Sequence, residues 1–167
     1  MKYISLTAAV VLLASLGVFA RPAVKVDFSG SWTLDKAASE GIPPQITGFI
    51  LGIKQAGDKI DIQGTITTEA GEETLPDTII IDGKSNDYTP RGPGGLTGTG
   101  KRTAKWSTDG KSLEIEEDVK FDSPEGAVSL HSTRNWSLSA DGKILTITQD
   151  ITGDPGTQHI KRVLTKK

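Results

Sequence analysis

Charged and polar side chains interrupt several otherwise apolar strand patterns in the second half of the chain. Arg102 lies four residues before Trp106, and Arg134 lies two residues before Trp136, so each pair has the even spacing of one strand face. Because every second residue of a strand points to the same face, these arginines are predicted to share the buried face with the tryptophans. A buried charge is costly unless it is paired, and the planar guanidinium binds a carboxylate through two parallel hydrogen bonds. The chemistry that this pattern indicates is recognition of an acidic group beside apolar surface.

Further polar residues follow the same pattern on neighbouring strands, namely Glu117, Gln149 and Arg162. In an antiparallel hairpin, the residue numbers of each opposing pair add up to the same total. A hairpin centred on Asp109-Gly110 therefore places Arg102 opposite Glu117. The next hairpins place Glu117 diagonal to Arg134, Arg134 opposite Gln149, and Gln149 near Arg162. These residues are therefore predicted to form one polar band across the neighbouring strands.

By this register the band holds three arginines and one carboxylate, so Glu117 can neutralise one arginine and another group must serve the other two. We predict that a small amphipathic or hydrophobic ligand, an anion by this argument, lies inside with its head on Arg102 and Arg134. The predicted ligand-binding residues are Arg102, Trp106, Glu117, Arg134, Trp136, Gln149 and Arg162. There are two alternatives: water fills the band, or Arg162 only stacks on Trp32 and Arg134 pairs with Glu117 as internal support.

Two other functions remain open at this point. One is a protein-interaction module with a packed interior, whose partner binds an outer face or the glycine-rich loop at 89–100. The other is an isomerase or cyclase that uses the same pocket with Glu117 as the proton carrier. A ligand-binding protein and an enzyme both require an internal cavity, whereas the interaction module requires none.

The elements that must position these residues are short β-branched segments between turn signals. KIDIQGTITT (59–68) and SLEIEEDVKF (112–121) alternate apolar and polar residues, and Asp-Gly pairs mark tight hairpins at 82–83, 109–110 and 141–142. About nine or ten strands joined in sequence order allow a closed up-and-down barrel or a two-sheet sandwich. One short helical turn is predicted in DKAASEG (35–41).

The start and the end of the folded segment carry two short motifs, Phe28-Ser29-Gly30-Ser31-Trp32 and Lys161-Arg162-Val163-Leu164-Thr165-Lys166-Lys167. Together they resemble the calycins, which comprise the lipocalins and fatty-acid-binding proteins. The resemblance implies an all-β, lipocalin-like antiparallel up-and-down barrel of about eight to ten strands. It implies that Trp32 plugs one end, that Gly30 allows close backbone approach, and that Arg162 is the late arginine. Pairing of the first and last strands would then close the sheet and remove its free edges.

Two departures from the fatty-acid-binding proteins are visible. Leu164 stands where those proteins usually carry a tyrosine, and the segment between Leu34 and Phe49 leaves no room for their helical lid. The chain is therefore more similar to a compact, exported bacterial lipocalin-like protein than to an intracellular lipid carrier.

The first twenty residues, MKYISLTAAVVLLASLGVFA, have the apolar core and terminal small residue of a secretory signal peptide. We expect residues 1–20 to be removed and 21–167 to form a single lipocalin-like domain, secreted or periplasmic in a bacterium, with no stable membrane insertion after cleavage. The absence of cysteine excludes a thiol nucleophile and disulfides, and export without disulfides favours a bacterial envelope or medium.

Composition and motifs indicate no metal, cofactor or catalytic residue. The formal net charge of −2 gives no reason to propose a nucleic-acid partner. The two histidines, His131 and His159, fall on the strand face opposite the apolar residues, so we expect them at the surface.

Overall fold

The computed structural model describes residues 24–91, 95–123, 126–154 and 156–167. Ten antiparallel strands account for most of these residues: β1 (Gly30–Leu34), β2 (Ile46–Ala56), β3 (Lys59–Thr68), β4 (Gly71–Ile80), β5 (Ser85–Tyr88), β6 (Gly98–Trp106), β7 (Ser112–Ser123), β8 (Gly126–Leu138), β9 (Ile144–Gly153) and β10 (Gly156–Lys166). The all-β prediction is confirmed. The predicted signal peptide at 1–20 lies outside the described residues.

The strands form one sheet in the order β4-β3-β2-β1-β10-β9-β8-β7-β6-β5, which curls into a nearly closed up-and-down barrel. As predicted, the first and last strands pair, with Trp32 opposite Lys166 and Leu34 opposite Leu164. The pairing does not remove the free edges, however, because β4 and β5 are the two ends of the sheet and are not paired with each other. The barrel is therefore interrupted between β4 and β5.

Local sequence explains the strands and their turns. The predicted inward residues Ile62 and Ile66 of β3 line the interior, and the Asp-Gly turns place Gly83, Gly110 and Gly142 at positive φ, where glycine is unstrained.

The segment predicted to form a helical turn, 35–41, contains turns instead. The Asp35 side chain accepts a hydrogen bond from the Ala38 amide (3.1 Å), and the Ser39 hydroxyl donates to the Asp35 carbonyl (2.6 Å). Such local side-chain bonds compete with helix formation. Within the described part of the chain, no helix is long and apolar enough to cross a membrane.

One end of the barrel is filled with aromatic side chains. Phe28 stacks on Trp106 with a 5.9 Å centroid separation and meets Trp136 edge-on at 5.7 Å. Trp32 is fully buried, and its indole N–H donates to the Phe28 carbonyl at 2.9 Å. Aliphatic side chains from most strands complete this packed end, including those of Ile60, Ile79, Leu113, Leu145 and Leu164.

Gly30 precedes Trp32 with φ of +146°, and a Cβ at this position would lie 2.7 Å from the Lys166 side chain. Lys166 in turn lies 5.2 Å above the Trp32 ring. In the described part of the chain, Lys166 is thus the cation over Trp32, whereas the Arg162 guanidinium donates to Gln149 at 3.0 Å, which disfavours the alternative in which Arg162 stacks on Trp32.

Candidate ligand-binding site

The interior beyond the packed end contains an apolar cavity of about 230 Å³. Its walls come from β1 to β4, from the segment that joins β1 to β2, and from β8 and β9, through Leu34, Ile42, Phe49, Leu51, Ile62, Ile66, Leu75, Trp136 and Ile147. Four polar side chains complete the lining, namely Asp77, Arg134, Gln149 and Arg162. The cavity thus combines an apolar wall with a group of hydrogen-bonding and charged residues.

A second, more polar chamber of about 340 Å³ lies behind the interruption between β4 and β5. It shares Leu75, Asp77, Arg134 and Arg162 with the apolar cavity. The two spaces therefore meet at the arginines, and we call the second one the β4–β5 chamber.

Most of the predicted site residues come together around these two spaces. Arg134, Trp136, Gln149 and Arg162 line the apolar cavity, whereas Arg102 and Glu117 line the β4–β5 chamber. Trp106 lines neither space, because Phe28 of the N-terminal segment covers its ring. The placement of Trp106 in the ligand site is therefore corrected, since it belongs to the packed end.

The predicted registers match the observed ones. Arg102 pairs with Glu117 across β6 and β7, and Arg134 pairs with Gln149 across β8 and β9. Arg162 donates a hydrogen bond to the Gln149 side-chain oxygen at 3.0 Å, and the Gln149 amide donates to Ser132 at 3.0 Å. Together these contacts form the polar band that the turn positions predicted.

Arg102 donates four of its five N–H groups to other residues of the protein. Its Nε donates to Glu117 Oε1 at 2.6 Å, while Nη1 and Nη2 donate to the two oxygens of Asp77, both at 2.9 Å. Nη1 also donates to the Thr78 carbonyl at 3.0 Å, and the Tyr88 ring lies 3.9 Å from the guanidinium carbon. Because four of the five N–H groups of this guanidinium are bound within the protein, Arg102 has no pair of donors left for an acidic head, and the hypothesis that it holds one needs correction.

Asp77 is the functional residue that the sequence analysis missed, and the count of one carboxylate in the band is wrong. It lies on β4, at one free edge of the sheet, and reaches Arg102 of β6 across the interruption. Its alternation with Leu75 and Ile79 was a usable signal for an inward position. No hairpin joins β4 to β6, so turn positions alone did not reveal this contact.

Glu117 is held as an ionised carboxylate. Its Oε1 accepts hydrogen bonds from Arg102 Nε at 2.6 Å and from Arg134 Nη2 at 2.7 Å. Burial acts to raise the pKa of Glu117, but the charges of the two arginines outweigh burial and leave that pKa below its ordinary value of 4.5. A carboxylate of lowered pKa is a weak base, which disfavours Glu117 as a proton carrier.

Arg162 differs from the other two arginines. No carboxylate of the described residues lies within ion-pair distance of it, and burial together with the nearby charge of Arg134 lowers the pKa of Arg162 to about 10. Arg134 itself keeps one donor, Nε, buried without a hydrogen-bond partner. The three arginines and two carboxylates of the band leave one positive charge in excess, and it is centred on Arg162.

The histidines face outward as predicted. His131 pairs with Asp118 at 2.8 Å, and His159 pairs with Asp150 at 2.5 Å, in each case through Nδ1 on the outer surface of the barrel. No group of three or more histidine, aspartate or glutamate side chains in the described ranges is arranged to hold a metal ion.

Comparison with models of known protein families finds no match for this chain. No curated protein matches it by sequence.

Solved structures, in contrast, match over most of the chain. A zebrafish ileal bile acid-binding protein complexed with cholic acid superposes with a TM-score of 0.51 at 19% identity, covering 84% of this chain and 98% of that one. The secretory abundant heat soluble protein 4 of Ramazzottius varieornatus superposes with a TM-score of 0.50 at 14% identity, covering 89% and 99%. At these identities the likeness concerns the fold, and the fold of this chain is that of a calycin-like β-barrel.

Proposed function

We propose that this protein binds a small amphipathic anion inside its barrel. The apolar body of the ligand lies in the 230 Å³ cavity, and its acidic head lies between Arg162 and Arg134. This assignment keeps the ligand class expected from the sequence and moves the head from Arg102 to Arg162.

One observation carries the proposal: Arg162 is a half-buried cation with no carboxylate partner among the described residues, and it lies at the boundary of an apolar cavity. Removing a guanidinium from water is unfavourable unless an anion compensates for it. A ligand carboxylate at this position would supply the missing charge, and the planar fork of Arg162 would bind it through two hydrogen bonds.

The size of the cavity limits the apolar body. Ligand pockets commonly measure roughly 300–1,000 Å³, and the apolar cavity alone, at about 230 Å³, falls below that range. The proposal therefore favours a short or compact hydrocarbon over a long extended chain. Its burial would contribute roughly 25 cal/mol for each square ångström removed from water.

The same geometry weakens the two alternatives. An interaction module with a fully packed interior has no use for the apolar cavity or for an uncompensated arginine beside it. An isomerase or cyclase that relies on Glu117 requires a carboxylate that gains and loses a proton, whereas two arginines hold this one ionised.

The proposal includes export of the protein, on the basis of the signal-like segment at 1–20. Cleavage after Ala20 gives a mature chain that begins at Arg21. Amino-terminal sequencing of the protein recovered from outside the cytoplasm of its host tests this part, and a chain that retains Met1 would contradict it.

Calorimetric titration with octanoate tests the binding itself, with octanol as the uncharged ligand of equal chain length. We expect octanoate to bind at least tenfold more tightly than octanol. Replacing Arg162 by methionine should weaken octanoate binding about 10- to 100-fold, because a hydrogen bond to a charged group contributes roughly 1.5–3 kcal/mol.

Lys161→Met is the matched control, since Lys161 is the next residue of β10 and pairs with Glu40 on the outside. This variant should bind octanoate as the unmodified protein does. Equal affinities for octanoate and octanol, or equal losses in the two variants, would contradict the proposal.

A further inference from the structure

The β4–β5 chamber contains more positive charge than one acidic head neutralises. Its rim includes Pro76, Tyr88, Pro90 and Arg91, and its inner wall includes Asp77, Arg102, Glu117, Arg134 and Arg162. Among the described residues that line it, four are arginines and two are carboxylates. The excess is two positive charges.

The two carboxylates are already committed. Asp77 binds Arg102 through both oxygens, and Glu117 accepts hydrogen bonds from Arg102 and Arg134. Arg162 and Arg91 make no ion pair with any carboxylate of the described ranges. Arg162 lines both the chamber and the apolar cavity, whereas Arg91 lines the chamber only and is exposed.

The volumes of the two spaces also leave room for a second hydrophilic group on the ligand. The apolar cavity alone is smaller than common ligand pockets, but it shares Arg134 and Arg162 with the larger chamber of about 340 Å³. A ligand whose head binds at the junction leaves that chamber free for a second hydrophilic group. The apolar lining lies on one side of the junction and the arginine-rich lining on the other.

From charge and shape together, and building on the proposed function, we infer that the natural ligand has a dianionic head. One negative charge binds Arg162 and Arg134 at the junction, and the second lies in the β4–β5 chamber on the side of Arg91. A phosphate monoester and a pair of neighbouring carboxylates share this chemistry, and both are compatible with a compact apolar body.

Octyl phosphate and octyl sulfate separate charge from shape, because they share the chain and the tetrahedral head. At pH 8 the phosphate monoester carries two negative charges, since its second pKa is about 6, whereas the sulfate ester carries one. We expect calorimetry to show octyl phosphate binding about tenfold more tightly than octyl sulfate. Octylsuccinate, a dicarboxylate, should show a similar advantage over decanoate, which has the same hydrocarbon chain and a single carboxylate, and the tighter of the two dianions identifies the head chemistry.

Arg91→Gln tests the location of the second charge, and Lys101→Gln is the control, because Lys101 pairs with Asp87 on the outer surface. Arg91 is exposed, so its replacement should leave the fold intact. The phosphate-to-sulfate affinity ratio should fall to within about threefold of unity in Arg91→Gln and stay near tenfold in Lys101→Gln.

Equal binding of octyl phosphate and octyl sulfate by the unmodified protein would overturn the dianion inference while leaving the proposed function in place. A tenfold ratio that survives in Arg91→Gln would overturn the placement of the second charge. If neither ester nor octanoate binds, the proposed function fails and this inference fails with it.

Discussion

Replacing Arg162 by methionine should stabilise the unliganded protein, although it removes a side chain of the binding site. In the folded protein the guanidinium is half-buried without a carboxylate partner among the described residues, and partial burial with the nearby charge of Arg134 lowers the pKa of Arg162 from 12.5 to about 10. Because each tenfold change in a protonation equilibrium corresponds to about 1.4 kcal/mol, holding this charge inside costs about 3 kcal/mol at neutral pH. Methionine is of similar length and carries no charge to bury.

The expected gain is smaller than this cost, because the variant also loses the hydrogen bond from Arg162 to Gln149. That bond contributes about 1 kcal/mol, so the free energy of unfolding should rise by roughly 1–2 kcal/mol. Urea unfolding followed by tryptophan fluorescence measures the change, with the slope of the transition expected to stay constant.

Arg102→Met provides the contrasting variant, because Arg102 is paired with both Asp77 and Glu117. Its removal leaves the half-buried Asp77 without its ion-pair partner and leaves the buried Glu117 with Arg134 alone, and it should lower the free energy of unfolding by roughly 3 kcal/mol. If Arg162→Met unfolds at the same urea concentration as the unmodified protein, or at a lower one, the interpretation of Arg162 as an uncompensated charge is refuted.

Three further changes test other parts of the structure. Ile62→Trp should fill the apolar cavity and weaken octanoate binding at least tenfold by calorimetry, whereas Ile80→Trp, on the outer face, should not. The pKa of Glu117 is lowered on folding, so the stability that its carboxylate contributes is present above pH 4.5 and is lost as the pH falls below that value. Urea unfolding of Glu117→Gln should therefore show a smaller loss of stability between pH 5 and pH 3 than the unmodified protein shows. Gly30→Ala should cost about 1–3 kcal/mol, because φ is +146° and the added Cβ would contact a lysine side chain, while Gly156→Ala, with open space around it, should change stability by less than about 1 kcal/mol.

Much of the site could be predicted from sequence because hairpins are local. A tight turn such as Asp109-Gly110 fixes the register of the two strands it joins, so Arg102 had to lie opposite Glu117. The same reasoning carried the polar band to Gln149 and Arg162 through successive turns.

The errors concern contacts that no hairpin specifies. Asp77 of β4 reaches Arg102 of β6 across the gap between β4 and β5, the two edge strands of the sheet. This contact depends on how closely the curvature of the whole sheet brings its two edges together, and no local sequence pattern specifies that curvature. Trp106 lies on the predicted face of its strand, but the ring of Phe28 covers it. Phe28 precedes the first strand, so no hairpin register places it beside Trp106.

The central claim is that an amphipathic anion occupies the apolar cavity with its chain among the inward side chains. Isotope-filtered nuclear Overhauser spectroscopy on the labelled protein with unlabelled octanoate measures this directly. We expect contacts from the octyl chain to inward residues such as Leu51, Ile62 and Leu75 and none to the outward Ile50 and Ile80. Contacts confined to Ile50 and Ile80, or the absence of any contact at saturating octanoate, would contradict the account.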